Sequence, residues 1–144
     1  IPFPNLLQQH HSQAMKLDSF TRAYIAAALW SSNDNSDPET GGEPLDRNYG
    51  LADLSPSALE QIAAYCAKFQ AENPTPDYGK RGEENGGDAE CAGHDFWLTR
   101  NHHGVGFWDR DELDEATQKR LTDAAHAFGT CDIYVGDDGQ LYVS

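Results

Sequence analysis

Between positions 94 and 103 the chain gathers His94, Asp95, Arg100, Asn101 and His103. An imidazole, a carboxylate and a guanidinium held close together can pass a proton or bind an oxyanion. Against a catalytic reading, the surrounding residues have the pattern of a β-hairpin: His94 to Arg100 as one strand, Val105 to Trp108 as the next, and Asn101-His102-His103-Gly104 as the turn. Neighbours on a strand point to opposite faces, so His94 and Asp95 aim at one site only across a bulge. Asn101 and Gly104 are ordinary turn formers. The catalytic candidates are therefore His94, Asp95, Arg100 and His103, with no role assigned to any of them. His94, His103, Cys91 and Asp95 also carry metal-ligand atoms, but no CxxC, HxxxH or HExxH spacing fixes a coordination geometry, so neither a metal nor a cofactor is expected.

Carboxylates supply the second constellation. Asp109, Asp111, Glu112, Asp114 and Glu115 place five acids in seven residues, and Glu83, Glu84, Asp88 and Glu90 form another group. Acids at a helix start favour the macrodipole and are ordinary there. Five in seven exceed what capping needs, and carboxylates spaced along a rigid element can imitate a row of phosphates. The binding candidates are Asp109, Asp111, Glu112, Asp114, Glu115, Glu83 and Glu84. The chain as a whole carries a formal charge of -14, with 24 acidic and 10 basic residues. Such a surface repels nucleic acid and anionic lipid and attracts basic proteins, the attraction weakening with salt. It is also what solubility alone would select. Phe96, Trp97, Phe107 and Trp108 could stack on bases, but aromatic strands commonly pack into a core, and the charge opposes single-stranded nucleic acid.

The elements that position these groups follow from capping and periodicity. Asp18 caps a helix to about Ser31, with Phe20, Tyr24, Ala27 or Ala28, and Ser31 along one stripe. Acidic, turn-rich sequence follows through Gly42. Ser55 as N-cap, Pro56 at the first helical position and Leu54 placed to staple onto Leu59 start a second helix, whose face continues through Ile62, Cys66 and Phe69. Asn73-Pro74-Thr75-Pro76 ends it. Asp77 to Gly93, rich in Gly, Asp, Glu and Asn, is expected to be a mobile loop. After the hairpin, a third helix is predicted over about Asp111 to Phe128, closed by Gly129. Cys131-Asp132-Ile133-Tyr134-Val135 and Gln140-Leu141-Tyr142-Val143 flank Asp137-Asp138-Gly139 as a second hairpin. The expected fold class is α+β, order ααββαββ, with three helices packed on a small antiparallel sheet built from the two hairpins.

At 144 residues the chain fits one domain, and 38% hydrophobic content is too apolar for wholesale disorder. The only methionine, Met15, precedes the first helical pattern and reads as the native start. Residues 1–14 then read as a non-native or disordered N-terminal extension, and 15–144 as a single α+β domain. Cys66, Cys91 and Cys131 are odd in number and widely spaced, which suits a reducing cytoplasm better than a disulfide scaffold. No apolar run reaches the roughly 18 residues of a membrane span, and the first residues do not resemble a signal peptide.

The segment Gly93-His94-Asp95-Phe96-Trp97-Leu98-Thr99-Arg100-Asn101-His102-His103-Gly104-Val105-Gly106-Phe107-Trp108-Asp109-Arg110 resembles a family of small proteins encoded by bacteriophages and bacterial mobile elements. The stretch from Phe20 to Ser32 and the end Cys131-Asp132-Ile133-Tyr134-Val135-Gly136-Asp137-Asp138-Gly139 are similar to that family as well, so the resemblance covers most of the chain after Met15. Where this chain has His102 the family pattern tends to carry Gly, which sets His102 aside. The resemblance implies an accessory protein acting in a bacterial host cytoplasm, and it carries over no catalytic residue. With the charge, it points to binding of a basic host or phage protein, in its sharp form DNA mimicry that inhibits a nucleic-acid-binding or defence protein. The alternatives are a small enzyme or metal-binding protein centred on 94–103, and a virion or self-assembling component. The oligomeric state is left open.

Overall fold

Single side chains set the starts of the three main amphipathic helices. The computed structural model describes residues 16–36, 39 and 42–144; the N-terminal extension expected over 1–14 lies outside them. Helix α1, Ser19–Ser31, begins where the Asp18 carboxylate accepts the Thr21 N–H at 2.8 Å, satisfying one of the donors a helix start leaves open. Helix α2, Pro56–Glu72, begins where the Ser55 hydroxyl accepts the Ala58 N–H at 3.1 Å, with Leu54 and Leu59 both buried. Its end is closed by Asn73, whose side-chain amide donates to the Phe69 carbonyl at 3.0 Å. These two helices follow the sequence reading closely.

The next stretch overturns it. No hairpin spans 94–108. Two helices occupy the region: a short α3, Lys80–Glu84, inside the stretch expected to be loop, and α4, Asp88–Arg100. The α+β class with a four-stranded sheet is therefore incorrect. Among the described residues there are five α-helices and one two-stranded sheet, so the fold is mainly helical. The cause is the position of α4. From Cys91 to Arg100 every residue except His94 is buried, so the helix has no polar face and its apolar run looks the same as that of a buried strand.

Gly93 lets α1 and α4 meet. A Cβ at this position would land on the backbone carbonyl of Phe20, so the two helices pack with little between their backbones. Around this crossing sits an aromatic core. The Phe69 ring stacks on Phe96 with centroids 4.2 Å apart, and Phe20 and Phe107 lie within 6 Å of Phe69. Phe128 closes edge-on against Phe96 at 5.1 Å. The aromatic run singled out in the sequence is thus mostly core: Phe96, Trp97 and Phe107 are buried, and only Trp108 is exposed.

Helix α5, Glu115–Ala127, starts later than the expected Asp111, because the Asp114 side chain accepts the Thr117 N–H at 2.7 Å and makes Asp114 the cap. The C-terminal hairpin is as read. Strands β1, Ile133–Val135, and β2, Leu141–Val143, pair antiparallel with Tyr134 opposite Tyr142, and Gly139 supplies the left-handed turn residue at φ 82°. The outer side of β2 is tied to the body by a parallel bridge between Leu141 and Leu54 and by the Ser55 N–H donating to the Leu141 carbonyl at 2.9 Å.

Candidate functional site

A helix turns about 100° per residue, so neighbours that a strand would separate can border one cleft. On α4, His94 and Asp95 do so. With Cys91 and Glu90 they face Ala23 and Ala26 of α1, and Arg81, Asn85 and Arg110 complete a cleft of about 300 Å³. At its base lies a buried ion pair. Asp95, 1% exposed, accepts from Arg110 through Nε at 3.0 Å and through Nη2 at 2.7 Å, and takes a third bond from the Tyr78 hydroxyl at 2.9 Å. The hydrogen bond to Asp95 raises the Arg110 guanidinium's pKa. Burial, reinforced by the Asp95 charge, pushes the Tyr78 phenol well above its usual range. Tyr78 remains protonated and donating, and both carboxylate oxygens accept hydrogen bonds. Asp95 therefore joins α4 to the segments carrying Tyr78 and Arg110.

Burial lowers the His94 pKa and outweighs the attraction of Asp95, so the imidazole is neutral at pH 7. Its ring lies 6.1 Å from that of Trp30, which is exposed. Cys91 is one turn away on the same helix. Burial raises its thiol above the usual value, so this cysteine is protonated, and a protonated thiol is a poor nucleophile. Cys66 is pushed up to about 12 by burial and is inert on the same grounds. The cleft thus offers a neutral imidazole and hydrogen-bond donors, without an activated nucleophile.

The other two catalytic candidates lie elsewhere. Arg100, also 1% exposed, donates to the carbonyls of Gly129 at 2.8 Å and Phe128 at 3.1 Å and to the Tyr24 hydroxyl at 3.1 Å. Its guanidinium lies 4.4 Å from the centre of the Tyr65 ring. The carbonyls just past α5 are the negative end of that helix, so they and the aromatic faces accommodate a cation that pairs with no carboxylate among the described residues. His103 lines a separate polar groove, along with Asn101, Ser32, Asn33 and the backbone segment from Thr130 to Val135. The four candidates do not form one constellation: His94 and Asp95 share a cleft, Arg100 is in the core, and His103 is on another surface. Among the described residues no group of three or more His, Cys, Asp or Glu stands close enough to hold a metal ion.

The acidic candidates behave differently. Arg81 donates through Nε to Glu112 at 2.8 Å, joining α3 to the 109–115 run across 31 residues of sequence. Glu83 and Glu84 of the same short helix are exposed, as are Asp111, Glu112 and Glu115, and Lys80 pairs with Glu84 at 3.8 Å. Three acids of the run have local duties. Asp109 accepts the Gly106 N–H at 2.9 Å, Asp114 caps α5, and Glu112 holds Arg81. The Asp114 carboxyl is held below its usual range by the Thr117 N–H, and that of Glu112 by its own backbone and Arg81. Both stay charged in mild acid. Trp108, 48% exposed, lies beside them, bordering a shallow groove along α5 with Glu115, Lys119 and Asp123.

Sequence reasoning missed Tyr78 and Arg110, which hold Asp95, and Cys91 as a wall of the cleft. Tyr78 is an isolated aromatic inside a polar stretch, the one signal that something there is buried. Comparison of the chain with protein families, with curated proteins and with solved structures returns no match.

Proposed function

We propose that the protein works by binding a basic protein through the acidic face that α3 and the 109–115 segment make together. One observation supports this reading: the Arg81–Glu112 ion pair at 2.8 Å, which joins two acidic stretches distant in sequence. Trp108 at the edge of that surface adds an exposed aromatic of the kind that anchors interfaces, with acids around it to steer a cationic partner. In its sharp form the row of carboxylates stands in for nucleic-acid phosphates and occupies the channel of a host nucleic-acid-binding or defence protein. The resemblance to phage and mobile-element proteins supports a bacterial cytoplasmic setting. No helix among the described residues is long and apolar enough to cross a membrane.

The test uses the protein as bait in nuclease-treated bacterial lysate, beside a variant carrying Asp111→Lys and Glu115→Lys. Both side chains are exposed and neither caps a helix, so the variant should fold normally. The expected result is capture of a nucleic-acid-binding protein that is lost at moderate salt, displaced by duplex DNA, and reduced at least tenfold by the double charge reversal. Capture that survives both the salt and the reversal would overturn the reading.

A further inference from the structure

Among the described residues, the small sheet has one unpaired edge, at β1. In an antiparallel pair, residues alternate between those that exchange hydrogen bonds with the partner strand and those whose N–H and C=O point away from it. Two flanking bonds set the phase here: the Ser144 N–H donates to the Asp132 carbonyl at 3.0 Å, and the Gly136 N–H donates to the Gln140 carbonyl at 2.7 Å. Asp132, Tyr134 and Gly136 therefore face β2, and the backbone groups of Ile133 and Val135 face outward. The far side of β2 is already bridged to Leu54, so the sheet can grow only at β1.

That outward edge forms one wall of the polar groove of about 780 Å³ that also contains His103. Serines and asparagines between Ser31 and Ser36 also line it, and neither Lys nor Arg is among the described residues that do. Asp132 borders it, and Asp137 and Asp138 follow in the hairpin turn, both exposed. On the solvent face of β1, Tyr134 is 48% exposed and stacks on Tyr142 at 6.1 Å. A strand laid against β1 would bond to Ile133 and Val135 and place one side chain beside the Tyr134 ring. A lysine there gains both the ring face and the nearby carboxylates.

We propose that the β1 edge and this groove bind an extended, lysine-containing segment of a partner protein by strand addition. Two features exclude the other occupants of a sheet edge. A second copy would bring two chains of charge -14 together, and a nucleic acid would meet Asp132 with neither Lys nor Arg among the described lining residues to offset it. The inference is independent of the acidic face at α3 and 109–115, since it uses none of those residues.

The experiment titrates isotope-labelled protein with a capped six-residue peptide alternating lysine and valine, and with a matched peptide alternating glutamate and valine, followed by amide chemical shifts. The lysine peptide should shift Ile133, Val135 and Asn33 first and slow hydrogen exchange at the Ile133 and Val135 amides; the glutamate peptide should do neither. Val135→Pro removes an outward N–H and leaves the bonds to β2 in place, and proline is tolerated at such an edge. It should weaken binding at least tenfold with little change in circular dichroism. Asp132→Lys alters no backbone group, should weaken binding several-fold, and keeps the test valid if the proline variant unfolds. Shifts confined to residues 83–84 and 109–115 would overturn this inference and leave the acidic-face reading standing. Strand addition at β1 is equally overturned by no shift at millimolar peptide, by full binding to a folded Val135→Pro variant, or by a dimer joined through β1.

Discussion

Asp95 and Arg110 stand 15 residues apart in sequence and meet as a two-pronged ion pair, with Tyr78 as the third member. Bringing a carboxylate into a core costs free energy that is recovered only while its partners remain. Asp95→Asn keeps the shape but leaves a guanidinium only 13% exposed without its counter-charge. The expected loss is about 3–5 kcal/mol, read as a lowered urea midpoint. Tyr78→Phe, which removes one neutral donor, should cost only about 1–2 kcal/mol in the same measurement. If the two substitutions cost the same, the ion pair is not what holds these segments. Asp95 could be singled out from the sequence as a chemical group. Its partners could not, because nothing in the spacing of Tyr78 and Arg110 announces that a helix end and a loop will converge on it.

At the scale of elements, α1, α2, α5 and the C-terminal hairpin were legible because each shows one polar side and a capping or turn residue: Asp18, Ser55, Gly129 and Gly139. Helix α4 was not, because it is covered on nearly every side and so has no amphipathic period to detect. Its ends did carry a signal. Asp88 and Glu90 lie in the first turn and Arg100 in the last, the charge order a helix dipole favours and a hairpin has no use for. Gly93 pointed the wrong way, suggesting a loop, whereas it marks the crossing with α1. Gly93→Ala must push Phe20's backbone aside, and overpacking of this kind costs about 1–3 kcal/mol or more. Thermal unfolding should show a lower midpoint than wild type. An unchanged midpoint would mean that the helices separate easily, contrary to the packing described.

For the whole molecule, pH sets two effects against each other. As pH falls, carboxylates take up protons and the self-repulsion of a chain with charge -14 is relieved. Over the same range His94 works in the opposite direction. Its folded-state pKa is depressed by burial, so the unfolded chain takes up that proton first; stability from neutral His94 is complete above pH ~6.5 and is lost as pH drops through the folded value. His94→Gln removes the second effect and leaves the first. Denaturation curves of the two proteins should run parallel above neutrality and converge or cross below pH ~6.5, wild type losing ground. Parallel curves down to pH 4 would show that His94 is not shielded from water. The net charge was plain from composition. That the two acidic stretches meet was not, because it depends on Arg81 reaching Glu112 from a segment whose helical state the sequence obscured.

Arg100 bears on how the protein comes apart. One guanidinium bonds to Tyr24 on α1 and to the carbonyls following α5, and lies over Tyr65 on α2, while its own backbone ends α4. Detaching any one of these helices would leave a cation facing hydrocarbon with part of its coordination gone, so partial opening carries much of the penalty of complete unfolding. The charge therefore acts as a cooperativity device: it makes half-open intermediates scarce, and with them the sticky aromatic surface of Phe69, Phe96 and Phe128 that such intermediates would show to other chains.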